Sequence, residues 1–159
     1  MISFEVTGTT INLHWSEFID LNNIDYSKNH EVIKEIPEAY GIYIFWRQYG
    51  DKHECLYIGK TTNLRSRIRT QLNARGLIEH VKGAKRGKKI LSYAELDMHA
   101  NCYVDDYLDK VETFFISEAL SQGHDLYNQQ KTKFYGNPII SHGKNYPNIF
   151  EDTMYMPNK

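Results

Sequence analysis

Gly41-Ile42-Tyr43-Ile44-Phe45-Trp46 is the stretch that decides the expected fold, together with Cys55-Leu56-Tyr57-Ile58-Gly59 further along the chain. Both stretches are rich in β-branched and aromatic residues, and Gly50-Asp51 between them is typical of a tight turn. In each stretch a tyrosine alternates with aliphatic residues, and successive side chains of a strand point to opposite faces of the sheet. We therefore predict a β-hairpin in which the phenols of Tyr43 and Tyr57 leave the core on the same side.

A helix is predicted to follow Gly59, with Thr62 or Asn63 as the residue that caps its first turn. The apolar residues of this segment recur every four positions, which is the spacing of one helix face, and they are Leu64, Ile68 and Leu72. Arg67 and Gln71 border one edge of this stripe, at about 100° of rotation per residue. Three later glycines are expected to divide the chain into a short second helix and a basic loop: Gly76, Gly83 and Gly87.

A third strand and a final long helix are predicted in the second half of the chain. The strand is expected over residues 90–98, and Asp105 or Asp106 is expected to open the helix. The apolar arc of this helix consists of Val104, Tyr107, Leu108, Val111, Phe114, Phe115 and Ala119. Glu112 and Glu118 both fall within the arc, where a carboxylate is expected to face a cation or a hydrogen-bond donor.

These elements predict a single domain of the α/β (α+β) class, with a small three-stranded, mostly antiparallel sheet flanked by helices. Residues 37–128 are expected to form its core and residues 1–36 an N-terminal extension. Within that extension, residues 3–6 and 11–15 are predicted to pair as a hairpin. Residues 129–159 are rich in Asn, Pro, Gly and His, which predicts an irregular C-terminal tail packed on the core.

The composition excludes several classes of protein. The chain has 159 residues, of which 41% are hydrophobic and 13% aromatic, as is typical of a globular domain and not of a disordered one. No apolar run is long enough to cross a bilayer, and the first residues do not resemble a secretory signal. The two cysteines, Cys55 and Cys102, leave little prospect of a disulfide framework. We therefore expect a cytoplasmic location and no membrane partner.

The basic residues are concentrated in one segment, although the net charge of the chain is only -1. Residues 60–89 contain ten basic residues and one acidic residue, whereas the rest of the chain is strongly acidic. The basic residues are Lys60, Arg65, Arg67, Arg69, Arg75, Lys82, Lys85, Arg86, Lys88 and Lys89. Such a block is either the footprint of a polyanion such as nucleic acid or a solvated helix face with a lysine-rich loop. Because the block begins at the second tyrosine strand, we favour nucleic acid.

The order of these motifs resembles that of the GIY-YIG nuclease superfamily over residues 36–128. Both tripeptides that give this family its name are present, and the resemblance implies a structural role for their glycines, Gly41 and Gly59. Lys60 matches the lysine that follows the second glycine in the family. The family's catalytic arginine, eight residues beyond that glycine, corresponds to Arg67.

The later motifs of the family are matched in the last predicted helix and just after it. Val111-Glu112-Thr113-Phe114-Phe115-Ile116 resembles the helix that carries the family's metal-binding glutamate. The resemblance implies Glu112 as the metal ligand and leaves Glu118 as the alternative. Leu126-Tyr127-Asn128 resembles the short motif that ends in the family's structural asparagine.

The chemistry of these residues suits phosphodiester hydrolysis, which needs a cation on a nonbridging oxygen, an activated water and stabilisation of charge at phosphorus. A glutamate offers a hard oxygen ligand for Mg²⁺ or Mn²⁺, and Arg67 offers a bidentate fork for the phosphate. We expect Tyr57 to orient or deprotonate the water with support from Tyr43, or the reverse, if nearby cations lower the phenol pKa. One turn after the catalytic arginine, many family members have His or Tyr where this chain has Gln71, and His80 is a candidate substitute.

The sequence therefore predicts a metal-dependent endonuclease that acts on DNA more than on RNA. Its catalytic residues would be Tyr43, Tyr57, Lys60, Arg67 and Glu112, with Glu112 as the ligand of Mg²⁺ or Mn²⁺. Lys60 would also contact DNA, together with the other basic residues of segment 60–89. The alternative is a non-catalytic nucleic-acid-binding module that has the same fold. Since no zinc finger or helix-turn-helix is recognisable, specificity is expected to come from the extensions, the basic loop, a homodimer or a partner protein.

Overall fold

The computed structural model describes residues 10–23, 30–83, 86–97, 104–127, 138–143, 147 and 150–155. Its strands are β1 (Ile11–Trp15), β2 (Ile19–Asp20), β3 (Gly41–Tyr49), β4 (Lys52–Thr61), β5 (Lys88–Asp97), β6 (Pro138–His142) and β7 (Thr153–Tyr155). Its helices are α1 (His30–Glu35), α2 (Leu64–Leu72), α3 (Arg75–Gly83) and α4 (Val104–Ser121), with a 3₁₀ turn at Leu21–Asn23. The architecture is mixed α/β, and the seven strands belong to one curled sheet.

The prediction of a small three-stranded sheet is wrong, because the described residues alone form a sheet of seven strands in the order β4-β3-β5-β1-β6-β7, with β2 also paired to β5. The three predicted strands form its antiparallel half, β4-β3-β5. β5 does not end the sheet, since residues 12–15 of β1 pair antiparallel with residues 94–97. β6 then joins β1 in parallel and β7 joins β6 antiparallel. The terminal segments thus provide hydrogen-bond partners for backbone groups that a three-stranded sheet would leave unpaired at its β5 edge.

The N-terminal and C-terminal segments differ in how well they were predicted. Residues 11–15 are a strand, as predicted, and both of its edges are occupied, by β5 and β6. The predicted partner strand, residues 3–6, lies outside the described residues. The prediction of an irregular tail is wrong where β6 and β7 form. A short strand can form without a strong sequence pattern when the unpaired edge of an existing strand, here β1, supplies its hydrogen-bond partners.

The predicted hairpin is confirmed as β3 and β4. Tyr49 pairs with Lys52 across the Gly50-Asp51 turn. Gly50 has a φ of 59°, in the left-handed region that glycine adopts without the steric cost that other residues meet. The turn residues therefore fix where the two long strands begin to pair.

The sheet carries a hydrophobic core on each face. One core contains Ile42, Ile44 and Ile58 together with the buried side of α4. The other contains Tyr43 and Phe45 together with buried residues of α1, α2 and α3. The predicted placement of both phenols on one side is confirmed, but Tyr43 does not leave the core, since it is 0% exposed. The reason is that helices cover this face as well, so both faces of β3 are buried.

The helices after the hairpin follow the sequence pattern closely. α2 is capped by Asn63, whose side chain accepts a hydrogen bond from the backbone N–H of Ser66 at 3.0 Å. The predicted apolar stripe of α2 is buried. The predicted second helix, third strand and last helix correspond to α3, β5 and α4. Within the described part of the chain, no helix has both the length and the apolar character that a membrane span requires.

Candidate active site

Gly59 makes room for the first of the two tyrosines. Tyr43 of β3 lies opposite Gly59 of β4, and Phe45 lies opposite Tyr57. A methyl group on Gly59 would overlap the ring and hydroxyl of Tyr43. Because glycine has no Cβ, the Tyr43 ring lies directly against the neighbouring strand.

Replacing Gly59 with alanine is expected to lower the free energy of unfolding by about 1–3 kcal/mol, which is the usual cost of overpacking a closed core. The Tyr43 ring is fully buried and packs against Phe45 and Tyr57, so moving it away from the added methyl group would disturb these contacts. Gly83→Ala is the matched control, because an added Cβ there has no neighbour within 4 Å. Urea denaturation of both variants checks the prediction, and equal stability of Gly59→Ala and wild type would contradict it.

Arg67 and Gln71 of α2 form a hydrogen-bonded cluster with Tyr43. Arg67 Nε donates to the Tyr43 hydroxyl over a long distance of 3.4 Å. With its amide oxygen facing the cluster, Gln71 accepts from Arg67 Nη2 at 3.1 Å and from the Tyr43 hydroxyl at 3.2 Å. The hydrogen bond with Tyr43 raises the pKa of Arg67, whose guanidinium is already charged at neutral pH. The buried side chains of Tyr43 and Gln71 thus hold one side of the Arg67 guanidinium, while the residue as a whole is exposed.

Gln71 is a site residue that had no predicted role. Its side chain is 8% exposed, although it lies at the edge of the predicted apolar stripe. The available signal was its position four residues after Arg67, because residues at that spacing are neighbours on a helix surface.

Tyr57 lies beside this cluster and is only half-buried. Its ring is stacked on that of Tyr43, with centroids 5.9 Å apart and an interplanar angle of 27°, and it meets the edge of Phe45 at 6.1 Å. Burial, together with the neighbouring Tyr57, raises the pKa of Tyr43 above its ordinary value. Tyr43 is therefore a neutral hydrogen-bonding group, and Tyr57 is the phenol that remains accessible.

Replacing Tyr43 with phenylalanine is expected to reduce the loss of stability at alkaline pH. Above about pH 10 an unfolded tyrosine releases its proton. Because the pKa of Tyr43 is raised in the folded protein, folded chains keep this proton and the free energy of unfolding falls as pH rises, by at most about 1.4 kcal/mol per pH unit.

Chemical denaturation of wild type and Tyr43→Phe between about pH 8 and about pH 11 measures this effect. Burial also raises the pKa of Cys55, and that thiol contributes equally in both proteins. The stability difference between the two proteins should therefore change in favour of the variant as pH rises. Parallel curves would contradict the raised pKa of Tyr43.

Tyr127 extends the aromatic cluster outward. Its ring centroid lies 6.2 Å from that of Tyr57 and 5.5 Å from that of His80, so it links α3 to β4. Its backbone N–H donates to the carbonyl of Leu56 at 2.8 Å. His80, the candidate substitute for the His or Tyr that many family members have at the position of Gln71, thus adjoins Tyr127. Sequence reasoning did not single out Tyr127, whose only signal was its place before Asn128, and Asn128 itself lies outside the described residues.

Lys60 and Glu112 are not part of the phenol and guanidinium cluster. Lys60 follows Gly59 on β4 and points to the opposite face, where its Nζ lies 2.8 Å from Asp109 Oδ1 of α4. Glu112 lies one helical turn after Asp109, with 8% of its surface exposed. The structure therefore brings Tyr43, Tyr57 and Arg67 together on one face and sets Lys60 and Glu112 with the helix that covers the other.

Glu112 is the candidate ligand for a divalent cation. In the part of the chain that the structure describes, no group of three or more His, Cys, Asp or Glu side chains is arranged to hold a metal. Mg²⁺ is commonly bound by one or two carboxylates while it keeps several waters and takes substrate phosphate as a further ligand. The hard oxygens of Glu112 fit this mode of binding, and the same holds for Mn²⁺.

An open polar cavity of about 430 Å³ lies beside the start of α4, near the Lys60–Asp109 ion pair. Its lining residues are Lys60, Asp105, Asp106, Asp109 and Lys110. The cavity thus gives solvent access to Asp109, which lies one turn before Glu112 on α4, whereas Glu112 is not among the lining residues.

Arg65, which was predicted to contact nucleic acid, holds α1 against α2. Its Nε donates to the carbonyl of Ile36 at 2.8 Å and its Nη2 to that of Lys34 at 3.1 Å. Its Nη1 lies 3.1 Å from Glu38 Oε1. These contacts occupy the guanidinium on three sides, so Arg65 stabilises the packing of α1 and the segment after it against α2.

The other basic residues of segment 60–89 differ in accessibility. Four of them are exposed: Arg69, Arg75, Lys82 and Arg86. Lys88 pairs with Asp20 at 3.4 Å, and its ammonium lies 5.1 Å from the ring centroid of Phe18. Burial, with Arg47 nearby, lowers the pKa of Lys89. Lys85 lies outside the described residues.

Comparisons with known proteins identify no relative of this chain. A scan against protein-family models and searches of curated proteins and of solved structures found no match. The function considered below therefore depends on the chemistry of the clustered residues and on the motif resemblance noted above.

Proposed function

We propose that the protein is a metal-dependent endonuclease that hydrolyses phosphodiester bonds in DNA. The observation that carries this proposal is the cluster of Tyr43, Tyr57 and Arg67, in which a fixed and charged guanidinium lies beside an accessible phenol. These are two of the groups that phosphodiester hydrolysis requires, one for the phosphate and one for the water.

Each residue of the cluster has a distinct role in this proposal. Arg67 binds the nonbridging oxygens of the scissile phosphate and stabilises the charge that develops there. Tyr57 orients the attacking water. Tyr43 remains neutral, and its hydroxyl positions the guanidinium by accepting a hydrogen bond from Arg67. Gln71 completes the hydrogen bonds of Tyr43 and Arg67, so that neither group needs to reorganise during the reaction.

Glu112 and Lys60 contribute from the other face of the hairpin. β4 is the terminal strand on this side of the described sheet, and the proposal requires a phosphodiester to lie along its edge, where side chains from both faces could reach it. A divalent cation bound through Glu112 would act as a Lewis acid on the phosphate. Lys60 is held at the same edge by its ion pair with Asp109, and its ammonium would contact the phosphate only if the bound substrate or cation competes for that pair.

DNA affinity is expected to come from the exposed cations of α2, α3 and the segment that follows. Arg69, Arg75, Lys82 and Arg86 belong to this set. Contacts of such residues with phosphates release counterions, so binding should weaken as salt concentration rises.

A second candidate function is a non-catalytic DNA-binding module. One observation favours it. Lys60 and the helix that carries Glu112 lie on one face of β4, whereas the phenols and the guanidinium lie on the other face. If no substrate brings these two sets together, the exposed cations would still bind DNA without cleaving it.

A cleavage panel with the wild-type protein distinguishes the two functions. Plasmid, single-stranded and branched DNA are each incubated with Mg²⁺, Mn²⁺ or EDTA, and DNA binding is measured in parallel. The enzyme is expected to cleave at least one substrate with Mg²⁺ or Mn²⁺ and none with EDTA. Binding to DNA without metal-dependent cleavage of any substrate would contradict the enzyme and support the module.

A further inference from the structure

Tyr127 is an exposed aromatic side chain whose position is fixed. Its surface is 52% exposed, although its ring packs on Tyr57 and His80. Its backbone is tied to the edge of β4 by the hydrogen bond to Leu56. A ring that is anchored in this way loses little conformational entropy when a ligand binds to it.

The hydroxyl end of Tyr127 lies over the first turn of α3. A Cβ added to Gly76 would lie 2.8 Å from the Tyr127 hydroxyl, so glycine allows this close approach. Next to Gly76, the side chain of Arg75 is 91% exposed, and it pairs with Glu79 at 2.8 Å. An aromatic surface next to an accessible arginine is typical of surfaces that bind single-stranded nucleic acid.

The exposed ring is continuous with the proposed active site. Tyr127 contacts Tyr57, and Tyr57 is stacked on Tyr43, which is hydrogen-bonded to Arg67. A nucleotide next to a phosphate bound by Arg67 would therefore be within reach of Tyr127. In a duplex the base of this nucleotide is paired and stacked within the helix, so the ring can meet its face only if the base is unpaired.

We propose that Tyr127 is a stacking platform for the base of an unpaired nucleotide next to the scissile phosphodiester. The substrate is then DNA that is single-stranded, or unpaired, at the position of cleavage. This inference rests on the proposed function for its reaction, whereas the stacking contact itself can be tested without cleavage.

The test measures the binding and the fluorescence of an oligonucleotide that carries 2-aminopurine. The oligonucleotide is used once as a single strand and once as a fully paired duplex, and EDTA is present so that no metal-dependent cleavage occurs. Wild type and Tyr127→Phe are expected to quench the single strand's fluorescence, because both keep the ring. Tyr127→Ala should lose the quenching and bind the single strand about ten- to a hundred-fold more weakly, with little change for the duplex. Tyr49→Ala is the matched control, since Tyr49 is also exposed, at 39%, but lies at the hairpin tip.

Two results would overturn the inference. One is an equal effect of Tyr127→Ala on single-stranded and duplex DNA, or no effect on either. The other is a Tyr127→Phe variant as weak as Tyr127→Ala, which would show that the hydroxyl and not the ring face is what matters.

Cleavage of both substrates in Mg²⁺ separates this inference from the proposed function. If the wild type cleaves the single strand faster and Tyr127→Ala loses that preference, both are supported. If no substrate is cleaved but the quenching still depends on the ring, the platform is supported and the nuclease is contradicted. If cleavage occurs with the same preference in wild type and Tyr127→Ala, the nuclease stands and the platform is overturned.

Discussion

Replacing Arg67 with alanine is expected to slow metal-dependent DNA cleavage by about a thousand-fold or more, within the range measured for arginines that stabilise a transferring phosphoryl group. The guanidinium is the charged group of the cluster, and its hydrogen bonds to Tyr43 and Gln71 fix its direction. Because Gln71 still accepts from Tyr43 in the variant, the fold should lose little stability. Single-turnover cleavage and thermal denaturation measure the two effects separately.

Two variants give the Arg67→Ala result its meaning. Arg69→Ala removes an exposed arginine two residues further along α2, and it should weaken binding by a small factor without changing the cleavage rate of bound DNA. Arg67→Lys keeps the charge but loses the bidentate fork, so an intermediate rate is expected. Equal rates for Arg67→Ala and Arg69→Ala would show that Arg67 serves only DNA affinity.

Replacing Glu112 with glutamine is expected to abolish metal-dependent cleavage, with a loss of about a thousand-fold or more, while DNA affinity is retained. The amide has nearly the same shape, but it lacks the negative charge that a divalent cation requires. Loss of the Lewis acid removes several kcal/mol of stabilisation of the developing charge. Cleavage rates are measured over a range of Mg²⁺ and Mn²⁺ concentrations, and binding is measured in EDTA.

Glu118→Gln is the matched control for Glu112→Gln. Glu118 lies on the same helix and is partly buried, but it is six residues further along. It should keep wild-type cleavage. If Glu118→Gln loses cleavage and Glu112→Gln does not, Glu118 is the metal ligand and the assignment to Glu112 is wrong.

The local elements around the hairpin could be predicted from the sequence because their signals are local. The Gly50-Asp51 turn, the alternation in β3 and β4, the Asn63 cap and the four-residue spacing in α2 each act over a few residues. The same periodicity placed Arg67 at the edge of the buried stripe, which is where it meets Tyr43.

The rest of the fold depends on contacts between distant segments, which no local pattern shows. β1 joins β5, and β6 joins β1, across more than seventy residues of chain in each case. The burial of Tyr43 depends on helices that cover its face, so strand alternation alone suggested an exposed phenol. The pairing of Lys60 with Asp109 likewise depends on how α4 packs on β4.

Two residues of the candidate site, Gln71 and Tyr127, had no predicted role, because their part in the site depends on contacts that form only in the folded chain. Gln71 is polar and lies at the edge of a stripe, where a solvent-facing position is the usual outcome. Its burial follows from its hydrogen bonds with Arg67 and Tyr43. Tyr127 follows the last helix, and only the crossing of its segment over the edge of β4 brings it to Tyr57.

A double-mutant cycle of Arg67→Lys and Glu112→Asp on single-turnover cleavage tests most directly whether groups from the two faces of the hairpin act on one phosphodiester. Both substitutions keep the charge and are expected to leave a measurable rate. Residues that act as one unit in a transition state are strongly non-additive. We therefore predict that the double variant is about as slow as the slower single variant. A rate reduced by the full product of the two single effects would contradict the shared site.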